Sequence, residues 1–152
     1  MRNPIAWPSL LLLAWALLLT MPSSAAAQTD MQAEAAPPRL VAALFRSNWC
    51  GPCKILEPRY ERVISEYADA PLDRVRFDSS FGRRDALADR AREAGIASAY
   101  DAASGRTGFV LLIDRETQDV LARITARYSE DDIAGALDYA LDIIEDREAF
   151  GL

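Results

Sequence analysis

Histidine is missing from all 152 residues, and cysteine occurs only as Cys50 and Cys53. These two scarcities exclude a cysteine- and histidine-based structural zinc site, which takes four ligands where only two are on hand. No metal is therefore expected. Proline is absent beyond Pro71, so the second half of the chain has no proline to fix a turn or a cis bond. Basic residues are outnumbered, 17 against 23 acidic ones, giving a formal charge of −6. That balance argues against nucleic acid as a partner, because phosphate recognition needs a clustered basic surface. Internal repeats are lacking too, and the length suits one domain of ordinary globular composition, 51% hydrophobic and 26% charged.

What is present begins with an export pattern. Arg2 gives a positive start, residues 5–21 are almost wholly apolar, and Ala25, Ala26 and Ala27 supply the small residues of a cleavage site. Residues 1–27 read as a secretory signal peptide cut after Ala27, which predicts a periplasmic or otherwise exported protein that meets the membrane only through this signal. An uncleaved membrane anchor is the alternative, since the apolar run sits at the lower edge of a bilayer span. Cleavage would remove one arginine and no acid, leaving −7. Export would place the two cysteines where a disulfide persists, and two cysteines allow one intramolecular bridge. Residues 28–38, Ala-rich and ending in Pro37-Pro38, read as a flexible leader, and the folded domain is expected over 39–152.

The continuous apolar run 40–45 predicts a buried, parallel-type strand. A helical pattern starts after Cys50, with Leu56, Tyr60, Val63, Ile64 and Tyr67 on one face. Pro52 suits its first turn and Pro58 should kink it. Val75 and Phe77 alternate in a short strand over 73–78; a second helix is expected over 84–94, stopped at Gly95. Its Arg83, Arg84, Arg90 and Arg92, interleaved with Asp85, Asp89 and Glu93, read as a solvated face. Small and polar residues from Ala97 to Thr107 predict a long loop carrying Tyr100, Asp101, Arg106 and a Ser104-Gly105 turn. Strands follow at 109–113 and 120–124, then a helix opened by Ser129 and Asp132 with Ile133, Leu137, Ala140, Leu141 and Ile144 buried. The predicted order, β-α-β-α-β-β-α, implies an α/β fold with a central mixed sheet and helices on both faces.

Trp49-Cys50-Gly51-Pro52-Cys53-Lys54 stands where the first strand gives way to the helix. Unpaired N–H groups and about half a positive charge gather at a helix N-terminus and favour a thiolate at Cys50. Cys53 lies one turn on, near enough to close a bridge. A purely structural bridge is the bland alternative, but spanning two residues removes little chain entropy and would stabilise weakly.

This segment resembles the active site of the thioredoxin family. Pro58 at the family's spacing and the later element order extend the likeness over roughly 40–145, most strongly at 44–67. The resemblance implies a minimal thioredoxin-like fold without the family's N-terminal βα unit. It also implies a thiol–disulfide oxidoreductase needing no cofactor beyond its redox-active Cys50–Cys53 pair. Cys50 would attack a protein disulfide and Cys53 would resolve the mixed disulfide, with Trp49, Gly51, Pro52 and Lys54 forming their surroundings. Partners would be protein thiols and disulfides. The Gly-Pro dipeptide inclines the reading to reductase or isomerase over oxidase, and a reductase outside the cytoplasm would need a membrane electron-relay partner.

Three departures from the family stand out. Its buried strand Asp is replaced by Leu44, and Glu57, expected to face solvent, offers no substitute base; water or the substrate's leaving thiolate would take the proton. Gly108, preceded by Thr107, falls where the family has a cis-proline facing the cysteines. A cis bond without proline costs about 3–4 kcal/mol, so a trans or differently shaped loop is expected, with Thr107 and Gly108 as candidate substrate contacts. The 97–106 loop is longer than the family's connection and is either a rim beside the site or ordinary solvated surface. These departures keep a second function open: a thioredoxin-fold binding or assembly module with a resting disulfide.

Overall fold

A computed structural model describes residues 36–151. The expected signal at 1–27 and most of the leader expected over 28–38 lie outside them; residues 36–38 are irregular. The elements run β1 Leu40–Arg46, α1 Gly51–Glu66, β2 Leu72–Asp78, α2 Arg84–Glu93, α3 Ala97–Ala103, β3 Phe109–Asp114, β4 Val120–Thr125 and α4 Glu130–Phe150. The sheet order is β2-β1-β3-β4. β1 and β2 are parallel, with Leu44 opposite Arg76, whereas β3 runs antiparallel to β1 and β4 antiparallel to β3. This is the mixed sheet of a thioredoxin-like α/β fold.

β1 and β3 are central, and their unbroken apolar runs feed two cores because successive side chains point to opposite faces. Leu40, Ala42 and Leu44 pack with Leu56, Tyr60 and Ile64 of α1 and Ile133 and Leu137 of α4. Val41, Ala43 and Phe45 pack on the other face with Phe77, Ala91, Ile96 and Tyr100.

One element departs from the sequence reading. Most of the long loop expected over 97–107 is helix α3, leaving only residues 104–108 as connection. Ile96, Ala99, Tyr100 and Ala103 are all buried, at the i, i+3, i+4, i+7 spacing of a helical stripe. Three of those positions hold small or amphipathic side chains, so the stripe has little hydropathic contrast, while alanine favours the helix intrinsically. Tyr100 is consequently core, 4.8 Å from the Phe77 ring, and forms no rim.

The other helix ends follow their local signals. Gly95 (φ +67°) closes α2 in the left-handed conformation, its N–H bonding Arg92 O while Ile96 N–H reaches back to Ala91 O. Ser129 and Asp132 form a reciprocal capping box on α4. α1 continues through Pro58, which is exposed. At the sheet end away from the cysteines, fully buried Asp114 accepts two 2.9 Å bonds from Arg39 and a third from Arg147 of α4.

Candidate active site

The cysteines sit where β1 hands the chain to α1. The Cys50 N–H bonds Ser47 O at 3.2 Å, a tight turn that leaves Cys50 extended (φ −81°, ψ 108°) as the residue capping α1. Its Sγ accepts the Cys53 N–H at 3.1 Å, so the helix start directs a backbone donor at the outer sulfur. In the reduced protein that donor and the local dipole would favour negative charge on the Cys50 sulfur. Pro52 occupies the first turn, where a missing N–H leaves no bond unmade. Cys50 and Cys53 are disulfide-bonded, their Cα atoms 5.3 Å apart. The two differ in access: Cys50 is half-buried, whereas Cys53 is 2% exposed.

Gly108 arrives from the opposite side, just before β3. Its N–H bonds Phe45 O at 2.8 Å, which docks the 104–108 connection on the end of β1. It is buried with φ +92°, and a Cβ there would lie 3.0 Å from Pro52 Cβ and 3.2 Å from Cys50 Sγ. Only glycine meets both demands, positive φ and the close approach. Thr107 beside it is half-buried.

The remaining expected residues are distributed as follows. Gly51, Pro52 and Lys54 are exposed at the start of α1; Lys54 is the chain's only lysine. Trp49, 73% exposed, packs edge-on against Phe81 of the loop after β2, with ring centroids 5.9 Å apart. Leu44 is buried in the α1-side core.

Glu57 does not face solvent as expected. Its side chain is 19% exposed and is drawn over the sheet end by Arg46 at 3.1 Å and by Arg76. Arg46 also pairs with Asp78 and donates to Asn48 Oδ1 at 2.8 Å. Burial works against the Asp78 carboxylate, yet hydrogen bonds from Ser80 and Arg46 outweigh it and hold this carboxyl below its usual range. This ionic network around Arg46, and the packing of Phe81 on Trp49, escaped the sequence reading. Arg46 closing an apolar run and Glu57 one helical turn beyond Cys53 were the available signals.

The family model for Thioredoxin matches residues 25–90, a span that takes in the cysteines and the helix they open. Over that span the chain is similar to the thioredoxin family. Thioredoxin-1 of Schizosaccharomyces pombe is 36% identical over 58 residues, 38% of this chain and 50% of that protein. Thioredoxin H7 of Arabidopsis thaliana is 47% identical over 34 residues, 22% of this chain and 26% of the relative. A peptide-N(4)-(N-acetyl-beta-glucosaminyl)asparagine amidase of Caenorhabditis briggsae is 40% identical over 40 residues, 26% of this chain and 7% of that protein. The chain thus spans half or less of the length of these curated relatives.

Proposed function

We propose that this protein is an exported thiol–disulfide oxidoreductase that exchanges protein disulfides through Cys50 and Cys53. The observation carrying the proposal is the asymmetry of the pair: a reachable Cys50 sulfur under a backbone donor, bonded to an enclosed Cys53. In the reducing direction the Cys50 thiolate attacks one sulfur of a substrate disulfide. That S–S bond breaks, the leaving thiolate takes a proton, and a mixed disulfide forms. Cys53, deprotonated, then attacks Cys50 Sγ and releases the second substrate thiol. The substrate gains two electrons and two protons, and the protein returns to its disulfide form. A thiol donor must then reduce it, and outside the cytoplasm a membrane electron relay would supply that donor.

The Gly51-Pro52 pair supports reductase or isomerase use over oxidase use. A reduction potential near about −270 mV against glutathione is expected, and one near about −120 mV would reverse the direction. Export rests on residues 1–27 and predicts a mature chain beginning at Gln28, which amino-terminal sequencing of the exported protein checks.

Disulfide reduction with a thiol donor tests the main reading. Wild type should turn over, Cys50→Ser should not, and Cys53→Ser should trap substrates on Cys50. A wild type as inert as Cys50→Ser would favour the second reading, a binding or assembly module with a resting disulfide. Leu44 in place of the family's buried acid is the feature on that side.

A further inference from the structure

Arg46, the last residue of β1, directs its three guanidinium nitrogens at three different segments. Nε donates to Glu57 Oε2 at 3.1 Å, one helical turn beyond Cys53 on α1. Nη1 donates to Asp78 Oδ2 at the end of β2. Nη2 donates to Asn48 Oδ1 at 2.8 Å, in the turn that delivers Cys50. The Arg46 carbonyl is engaged as well, accepting the Ser79 N–H and Oγ at 3.0 and 3.1 Å. Its side chain is only 18% exposed, so it is fixed from several sides. No other side chain among the described residues hydrogen-bonds to both the 47–49 turn and α1.

Both grips on Asn48 lead back to Arg46. The Asn48 N–H donates to Ser80 Oγ at 2.7 Å, the Ser80 N–H donates to Asp78 Oδ1 at 2.9 Å, and Asp78 is held by Arg46. Asn48 lies inside the turn closed by the 3.2 Å bond from the Cys50 N–H to Ser47 O. That turn decides where the Cys50 sulfur stands relative to the Cys53 N–H, 3.1 Å away. In the disulfide form the S–S bond itself closes the turn onto the helix. Once that bond opens, the Arg46 fork is the side-chain tie that remains between the two. Its influence on the sulfur is geometric, because Arg46 and Arg76 face Glu57 and Asp78, two cations against two carboxylates. Opposite charges so closely paired largely cancel at a distance. A planar guanidinium fixes bond directions that a lysine ammonium does not.

Resting on the exchange reading above, we infer that Arg46 is a positioning residue for Cys50. Its fork clamps the 47–50 turn to α1 and to the end of β2, and so keeps the Cys50 sulfur under the Cys53 N–H after the disulfide opens. The clamp acts on the reduced protein, where it favours the thiolate that attacks. Arg46 works through the turn and takes no part in the sulfur chemistry.

The test uses Arg46→Lys, which keeps the charge and loses the fork, and Asn48→Ala, a milder change that removes one acceptor from an exposed turn. In a Cys53→Ser background Cys50 is the sole thiol, and the pH profile of its alkylation by iodoacetamide reads its pKa without client or donor. Each substitution should raise that pKa by about one unit toward the free value of about 8.5, since a hydrogen bond to a charged group is worth about tenfold. With both cysteines present, the equilibrium with glutathione should move toward the disulfide by up to about tenfold where Cys50 is ionised, a potential about 30 mV more negative. The double variant should shift no further than Arg46→Lys, because both changes break one bond. Arg46→Lys with the wild-type pKa and potential overturns the inference, since charge alone would then suffice. So does an Asn48→Ala protein that matches wild type, which decides the matter if Arg46→Lys does not fold. Thermal stability lost equally in both redox forms, with pKa and potential unmoved, likewise reduces Arg46 to a structural role and overturns it. A protein that never turns over would sink the exchange reading, yet the alkylation profile and the potential would still judge Arg46.

Discussion

Gly108→Ala is the sharpest available probe of how closely the 104–108 connection packs on the cysteines. At φ +92° an alanine meets backbone strain that glycine avoids, of order 1–2 kcal/mol. Its methyl would also stand 3.0 Å from Pro52 Cβ and 3.2 Å from Cys50 Sγ, and both must give way. Relieving such overpacking typically costs about 1–3 kcal/mol. Together these give a loss of about 2–5 kcal/mol, or about 8–20 °C in Tm for a domain of this size. The two contacts respond differently to reduction. A freed Cys50 thiol can turn to another rotamer, whereas Pro52 stays, so the oxidised protein should suffer more. A difference of about 1 kcal/mol between the two forms would raise the reduction potential by about 20 mV. Thermal unfolding of both redox forms, with a glutathione titration, measures each quantity. An alanine variant that melts within about 2 °C of wild type in both forms would refute the close approach.

Asp114→Asn should cost about 3–5 kcal/mol in urea unfolding, because it removes the buried counter-charge of Arg39 and leaves only the exposed Glu116 to pair with it. Burial alone would raise the Asp114 pKa, but hydrogen bonds from Arg39 and Arg147 hold it well below the carboxylate range. Its stabilisation is therefore complete above the ordinary aspartate value of about 3.9 and lost as pH falls toward the lower folded-state value, an acid dependence the Asn variant should lack. Ser129→Ala removes one half of the α4 capping box and should lower stability by about 1 kcal/mol in the same assay. With Leu44 where the family keeps an acid, resolution of the mixed disulfide by Cys53 should speed up about tenfold per pH unit below the thiol pKa. Rapid acid quench follows that step, and a rate flat between about pH 6 and 8 would mean a protein base is at work.

Legibility in the sequence tracked contrast. β1 and β3 stood out because strands buried on both faces must be apolar at every position, and 40–45 and 109–113 are. The start of α1 was legible because Cys50 and Pro52 mark it chemically. α3 was not, because alanines carry its buried stripe and polar neighbours surround them. Glu57 was misplaced for another reason. Its position on α1 alone points outward, but Arg46 and Arg76 come from two strands that are 30 residues apart in sequence, and their attraction turns it back. Local pattern cannot see a partner that only the parallel β1–β2 pairing supplies.

That pairing also accounts for how charge is arranged around the sulfurs. Leu44, Arg46, Arg76 and Asp78 lie on the α1 side of the sheet, since Leu44 faces Arg76 and Arg46 faces Asp78 in register. Leu44 is one residue pair further in and fills the apolar core under α1, where an ionised group would pay full desolvation. The carboxylates are kept one step outward, where Arg46 and Arg76 neutralise them. The fold therefore directs a backbone donor at the Cys50 sulfur from the helix start and keeps Cys53 enclosed. In the proposed exchange, a dithiol built this way attacks with its outer sulfur, while its inner one gives up its proton to solvent or to the departing substrate thiolate.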